Sequence, residues 1–239
     1  MLFKCLFVVA VVLELLCLSC YLFAGFCQKG KRPLIAKCVC SGLFILIGVF
    51  AMLAASNYTA YAVFMLVGLF FSFWGDYFLG ISMKGKYFIA GMASFLIAHV
   101  FYIFAYFNAI ALIIPGEIFF NTVEIIAIAV LLSVLAIASL KLKLDMGVYK
   151  IPVYIYSIVI VTMLVKAFSL SIRIFSAGAK NALAISALIA GGALLFVISD
   201  AVLSLILFAG KDKRPMTVLN LITYFSAQIL LASSIFFMA

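Results

Sequence analysis

TAYAVFMLVGLFFSFWGDYFLGI, residues 59–81, carries one formally charged side chain, Asp76, in twenty-three positions. About 20 consecutive apolar residues cross the hydrocarbon of a bilayer as a helix, which satisfies every backbone amide and carbonyl within the segment itself. Working outward from this stretch, similar runs recur at 5–26, 34–55, 87–108, 118–140, 151–172, 181–209 and 216–237. With 59–81 they predict about eight transmembrane helices. None of them alternates apolar and polar residues as the strands of a membrane barrel would. Of the 239 residues 69% are hydrophobic and only 10% charged, more apolar surface than a soluble fold of this size can bury. The expected architecture is all-α: a polytopic transmembrane helical bundle forming a single integral membrane domain over residues 1–239, with no soluble domain attached.

The net charge of +9 suggests a nucleic-acid surface until the basic residues are placed. Lys29, Lys31, Arg32, Lys37, Lys84, Lys86, Lys141, Lys143, Lys150, Lys211, Lys213 and Arg214 fall at the first, third, fifth and seventh loops, against Arg173 and Lys180 at the even loops. This is the positive-inside pattern of a membrane protein, so no nucleic-acid partner is expected. The odd loops are expected in the cytosol and both termini on the far side, with Lys4 a single exception. The membrane is a bacterial cytoplasmic membrane, or the endoplasmic reticulum if the host is eukaryotic. The apolar run to Phe26 is too long for a secretion signal and lacks a small-residue cleavage site. Cys5, Cys17, Cys20, Cys27, Cys38 and Cys40 all lie in the first forty residues, mostly within predicted helices, where thiols pack as small apolar groups. Cys17 and Cys20 have CxxC spacing but no neighbouring histidine, and a chain with one His offers too few ligands for a metal. No metal and no cofactor is expected.

Charge in the hydrocarbon region is expensive, so each ionisable side chain there is a candidate for function. Glu124 and Lys166 sit five or six residues from the same ends of adjacent predicted helices, close enough to pair with each other or to reach outward. Glu14 has no evident partner. Asp76 lies about six residues inside the third helix and Asp200 about nine inside the seventh, roughly 9 and 14 Å from the same side at 1.5 Å per residue. Gly68, Ser72 and Asp76 make one polar stripe, His99, Tyr102 and Tyr106 a second, and Asn220, Tyr224 and Gln228 a third. Four helices therefore aim polar groups at one band, more than helix association alone requires. GLFFSFWGDYFL (Gly68 to Leu79) also aligns with GALLFVISDAVL (Gly192 to Leu203), each in the third helix of a four-helix half. This allows a 4+4 parallel pseudo-repeat.

The sequence resembles the YhhN-like family of multi-pass membrane lysoplasmalogenases. The resemblance rests on GLFFSFWGDYFL at Gly68 to Leu79, FIAGMASFLIAHVFYIF at Phe88 to Phe104, FVISDAVL at Phe196 to Leu203 and YFSAQ at Tyr224 to Gln228, with a weaker basic-Pro element at Arg32 to Leu34. These segments occur in a consistent order over nearly the whole chain. The resemblance implies hydrolysis of the vinyl ether bond of a lysoplasmalogen, a lysophospholipid partner drawn from membrane lipid, to a fatty aldehyde and glycerophosphocholine or glycerophosphoethanolamine. On that analogy Asp76 and Asp200 form the acid-base pair, and Ser72, His99, Tyr102, Asn220, Tyr224 and Gln228 bind substrate or support the pair.

The chemistry suits those residue types. Protonating the outer carbon of a vinyl ether gives an oxocarbenium ion; water adds, and the hemiacetal collapses to aldehyde and alcohol. Two carboxyl groups held close together out of water cannot both ionise cheaply, so one keeps a proton while the other stabilises the cation or activates water, as in glycosidases. Either Asp could take either role. Two other functions use intramembrane acids. A proton-coupled or lipid transporter would use the same Asp and His groups as a relay. An intramembrane aspartyl protease would need a GxGD arrangement that Trp74, Gly75 and Asp76 do not make, and a PAL element, which is missing.

Overall fold

The computed structural model describes residues 1–27, 34–55, 59–210 and 214–238. They form α1 (Leu2–Cys27), α2 (Leu34–Ala55), α3 (Ala60–Ile81), α4 (Gly85–Ile113), α5 (Thr122–Lys141), a 3-10 turn (Gly147–Tyr149), α6 (Lys150–Ser176), α7 (Ala182–Phe208) and α8 (Arg214–Met238). There is no strand among the described residues. All eight helices are long and apolar enough to cross a bilayer, and the chain is an all-α, multi-pass integral membrane protein. Pro152 and Pro215 sit in the first turns of α6 and α8, where an amide has no intrahelical partner to lose, and Pro115 follows the end of α4.

The two boundaries either side of the α4–α5 connection differ from the sequence expectation, each for a local reason, and α6 runs four residues past its expected end to Ser176. The helix expected to end near residue 108 continues to Ile113. Nothing in NAIALI opposes a helix, and the stop comes from Pro115, which disfavours helical backbone in the residue before it, followed by Gly116 at φ 84°. The next helix begins at Thr122, not near residue 118. Asn121 caps it: its side chain accepts from the Glu124 amide at 2.9 Å, and the Glu124 carboxylate accepts from the Asn121 amide at 3.2 Å. The basic stretches at 28–33 and 211–213, with the basic-Pro element, lie outside the described residues.

The chain divides into two compact units. The first comprises residues 1–105 and 228–239, the second residues 106–227. In the first, Phe44, Ile47 and Ala51 of α2 pack with Tyr61, Met65 and Leu69 of α3 and with Leu231, Ala232 and Ile235 of α8, all buried. Glycines set how closely these helices approach. A Cβ at Gly75 would lie 2.5 Å from the Phe95 ring, and one at Gly68 only 2.2 Å from the Tyr102 ring. Small residues at such crossings are how membrane helices associate where apolar burial gives little net drive. Tyr61 on α3 and Ser234 on α8 share a hydrogen bond of 2.6 Å.

In the second unit α6 is the central helix. Its residues 160–167 are buried without interruption, and Ile189, Ala193 and Phe196 of α7 are buried with them. By contrast α5 exposes Val123, Ile126, Val130, Val134 and Ile137, a surface suited to acyl chains. The only buried residue of α5 is Glu124. Its carboxylate pairs with Lys166 on α6 at 2.8 Å, and the Lys166 ammonium also donates to the Phe119 carbonyl. Phe107, Phe119 and Phe120 surround that ammonium, with ring centroids 4.9–5.6 Å away. Beside it Arg173 of α6 binds Glu117. The connection between α4 and α5, through Glu117, and the first turn of α5, through Glu124, are thus each tied to α6 by an ion pair.

Candidate functional site

In the first unit the polar groups converge on α3. Asp76 lies five residues before the C-terminal end of that helix, and its side chain is 2% exposed. Both carboxylate oxygens are engaged from α2: Oδ1 is 2.9 Å from the Lys37 ammonium, and Oδ2 accepts from the Ser41 hydroxyl at 2.5 Å. Lys37 and Ser41 stand one turn apart, so a single face of α2 supplies both donors. One turn earlier on α3, the buried Ser72 hydroxyl shares a 3.2 Å hydrogen bond with the Tyr102 hydroxyl of α4. Tyr102 in turn donates to Oε1 of Gln228 on α8 at 3.2 Å. The ring of Tyr102 occupies the space that Gly68 leaves free. His99, fully buried one turn before Tyr102, has its ring centroid 6.0 Å from that of the tyrosine. Ser72, Asp76, His99, Tyr102 and Gln228, five of the expected site residues, therefore gather in one unit.

The other three lie in the second unit. Asp200 on α7 accepts a hydrogen bond from the Tyr156 hydroxyl on α6. Asn220 on α8 is engaged by the residue before that aspartate: its Nδ2 donates to the Ser199 carbonyl at 2.8 Å and hydroxyl at 2.9 Å, and its own carbonyl accepts from the Ser199 hydroxyl at 3.2 Å. Asn220 thus locks α8 to α7 at the height of Asp200. Tyr224 presents its ring to Phe196 edge-on, with centroids 5.4 Å apart. The two halves of the sequence echo share a geometric rule: each aspartate, on α3 or on α7, takes a donor from the helix just before it.

Sequence reasoning missed the immediate partners. Lys37 falls among the loop charges by sequence, although it lies inside an apolar run and at helical spacing from Ser41, the signal that identifies the pair. Tyr156 gave no signal among other tyrosines. Glu14, without a partner in the sequence, is fully buried on α1, and neither carboxyl oxygen has a hydrogen-bond partner among the described residues. The Cys17 and Cys20 spacing does not form a unit: Cys17 sits 3.2 Å from Cys40 on α2, while Cys20 is exposed. Among the described residues no three His, Cys, Asp or Glu side chains converge as a metal site would need.

Comparison with known proteins covers the same helices. Residues 32–235 match the YhhN family, most of the chain and every helix after the first. The chain belongs to the YhhN family. A protein of Dictyostelium discoideum described as a lysoplasmalogenase homolog is 33% identical over 130 residues. That match takes in 53% of this YhhN chain and 40% of the relative, so the chain spans well under half the length of the relative it matches. No solved structure matches.

Proposed function

We infer that this YhhN protein is a membrane-embedded lysoplasmalogenase, hydrolysing the vinyl ether bond of a lysoplasmalogen to a fatty aldehyde and a glycerophosphocholine or glycerophosphoethanolamine. The observation that carries the reading is Asp76. It is a buried carboxylate inside the segment the family shares, held by Lys37 and Ser41 and accompanied by the Ser72, Tyr102 and Gln228 chain. Charge-assisted donors on both oxygens suit an anion. Such a group can stabilise an oxocarbenium ion or take a proton from water. Asp200, with the Tyr156 phenol donating to it, is the second carboxyl of the reaction. His99, Tyr102, Asn220, Tyr224 and Gln228 orient substrate and water, with Ser72 fixing the Tyr102 hydroxyl.

The depth of Asp76 supports the same substrate. Five residues from the end of α3 correspond to about 8 Å of helix rise. A vinyl ether lies next to the glycerol, slightly below the surface, while the phosphate stays outside. Exposed Lys84 and Lys86 follow α3 directly and suit that phosphate. We assign the loops after α1, α3, α5 and α7 to the cytosol. Lys37 and Arg173, engaged with Asp76 and Glu117, drop out of the loop charge count and leave its sign unchanged.

The test is aldehyde release from a lysoplasmalogen by the purified full chain in detergent, with no gradient present. Asp76→Asn and Asp200→Asn should each abolish release while the protein stays folded, because Asn keeps the shape but can neither hold nor give the proton. Absence of release by the unmodified protein overturns the reading. Full activity in either variant rules out the paired mechanism, and uptake that requires a sealed, energised vesicle would indicate a transporter instead.

A further inference from the structure

Glu14 is at the centre of α1, twelve residues from Leu2 and thirteen from Cys27. Either end is therefore roughly 18–20 Å away along the helix, far beyond the reach of a glutamate side chain. The inward stripe of α1 consists of Ala10, Glu14, Leu18 and Tyr21, all buried, so Glu14 faces the protein and not lipid. It lies within Coulombic range of Asp76 and of Cys40, the neighbour of Ser41. Among the described residues, Cys17 stands on the same helix and meets Cys40 of α2, Asp76 of α3 carries the Lys37 ion pair, and α8 beyond residue 228 brings no ionisable group. The residue also lies outside the segment 32–235 shared with the family.

The other buried carboxyls are explained by donors. Glu124 has Lys166 and the Asn121 amide, and Asp76 has Lys37 and Ser41. Among the described residues Glu14 has neither a paired cation nor a hydrogen bond to justify its burial, and leucine or methionine would fill the position at no polar cost. Burial supplies a reason: a carboxyl out of water with no donor on either oxygen is held far more cheaply as the neutral acid than as the anion.

We propose that Glu14 is the proton store of this site, a buried carboxyl that keeps an exchangeable proton for Asp76. The proposal rests on the vinyl ether reading for its use. In that reaction a carboxyl O–H bond breaks as a C–H bond forms at the outer alkene carbon. A water O–C bond then forms as a carboxylate takes the water's second proton. Finally the C–O bond to glycerol breaks as the hemiacetal hydroxyl proton moves to the leaving oxygen. Nothing is oxidised or reduced. One carboxyl ends charged and another protonated, so a proton must be returned before the next turnover. Glu14 acts through Asp76 in that return and need not touch the substrate.

Infrared spectra of the full chain in detergent test the protonation directly. The unmodified protein should show a carbonyl stretch from a carboxyl group that makes no hydrogen bond, shifting on exchange into deuterium oxide. Glu14→Gln should lack that band and Glu124→Gln should keep it. A band unchanged in Glu14→Gln overturns the proposal. In the aldehyde assay Glu14→Gln should lose at least tenfold in turnover with an altered pH profile, while Glu14→Asp retains most of the rate. A wild-type rate and pH profile in Glu14→Gln also overturns it. Glu14→Leu should melt no lower than the unmodified protein; a much lower melting temperature would give Glu14 a structural role instead. If the unmodified protein releases no aldehyde, the vinyl ether reading fails by itself, and the infrared band still decides the state of Glu14.

Discussion

Gly68→Ala tests how closely α3 and α4 are fitted around Tyr102. A Cβ at position 68 would stand 2.2 Å from Cε1, 2.6 Å from Cδ1 and 2.9 Å from Cζ of that ring, where ordinary contact begins near 3.4 Å. The ring would have to withdraw by about 1.2 Å, and a rigid, fully buried aromatic cannot do so by changing a terminal rotamer. Its hydrogen bonds to Ser72 and Gln228, both already 3.2 Å, would then pass out of range. Overpacking of this kind costs about 1–3 kcal/mol, and each hydrogen bond lost while its partners stay buried about 1–3 kcal/mol more. A total of about 3–9 kcal/mol corresponds to a fall in melting temperature of at least roughly 6 °C for a chain of this size. Thermal unfolding in detergent, followed by loss of the monodisperse peak in size-exclusion chromatography, measures it. Tyr102→Leu removes the opposing ring atoms, so adding it to Gly68→Ala should restore at least half of the lost stability. If Gly68→Ala melts with the unmodified protein, or the two substitutions simply add, Tyr102 is not held where the geometry places it.

Three further outcomes are expected. Lys166→Met should lower stability by about 3–5 kcal/mol, because it strands the buried Glu124 carboxylate; adding Glu124→Gln should recover most of that, with turnover per folded molecule preserved at low temperature. Lost turnover with an unchanged melting curve would contradict this structural assignment. Asn121→Ala should cost about 1 kcal/mol in thermal unfolding through the lost cap, and Asn121→Asp almost nothing. Tyr156→Phe should slow aldehyde release by about tenfold or more, the worth of a hydrogen bond to a charged group, with little change in melting; an unchanged rate would detach Asp200 from the chemistry.

The helices were legible because crossing lipid imposes a length and an apolar composition that few other structures share. Their ends were legible only where the punctuation was strong. Pro115 marks the true end of α4, past the apolar NAIALI, and the Asn-x-x-Glu signature at 121–124 is a capping box at the start of α5, which puts Glu124 in the first turn and not five residues deep. Helix faces were harder still. A soluble helix shows which side is inward by contrast with its polar side, whereas α1 and α5 are apolar all round, and lipid and protein interior demand the same residues. What marks the inward face here is the exceptions: Gly68 and Gly75 under aromatic rings, Ser72 under Tyr102, Glu14 on α1. The sequence supplied those exceptions one by one but not their pairings, so Lys37 was assigned to topology when it belongs to Asp76.

The pairings also separate acids that build the fold from acids available for chemistry. Glu124 and Glu117 are tied to Lys166 and Arg173, cations on one helix, and together they hold the connection between α4 and α5 in place. Protonating either would release a structural strap, so a catalytic cycle could not use them without loosening the second unit. Asp76 differs because one of its donors is a hydroxyl, Ser41, which can turn from donating a hydrogen bond to accepting one. Asp200 likewise has a phenol beside it. A carboxylate that takes a hydrogen bond from a hydroxyl can change protonation while the hydroxyl rotates, although at Asp76 the Lys37 ion pair must readjust as well. On the proposed reading that property suits Asp76 and Asp200 to proton transfer, and Ser41 and Tyr156 then serve the chemistry as well as the packing.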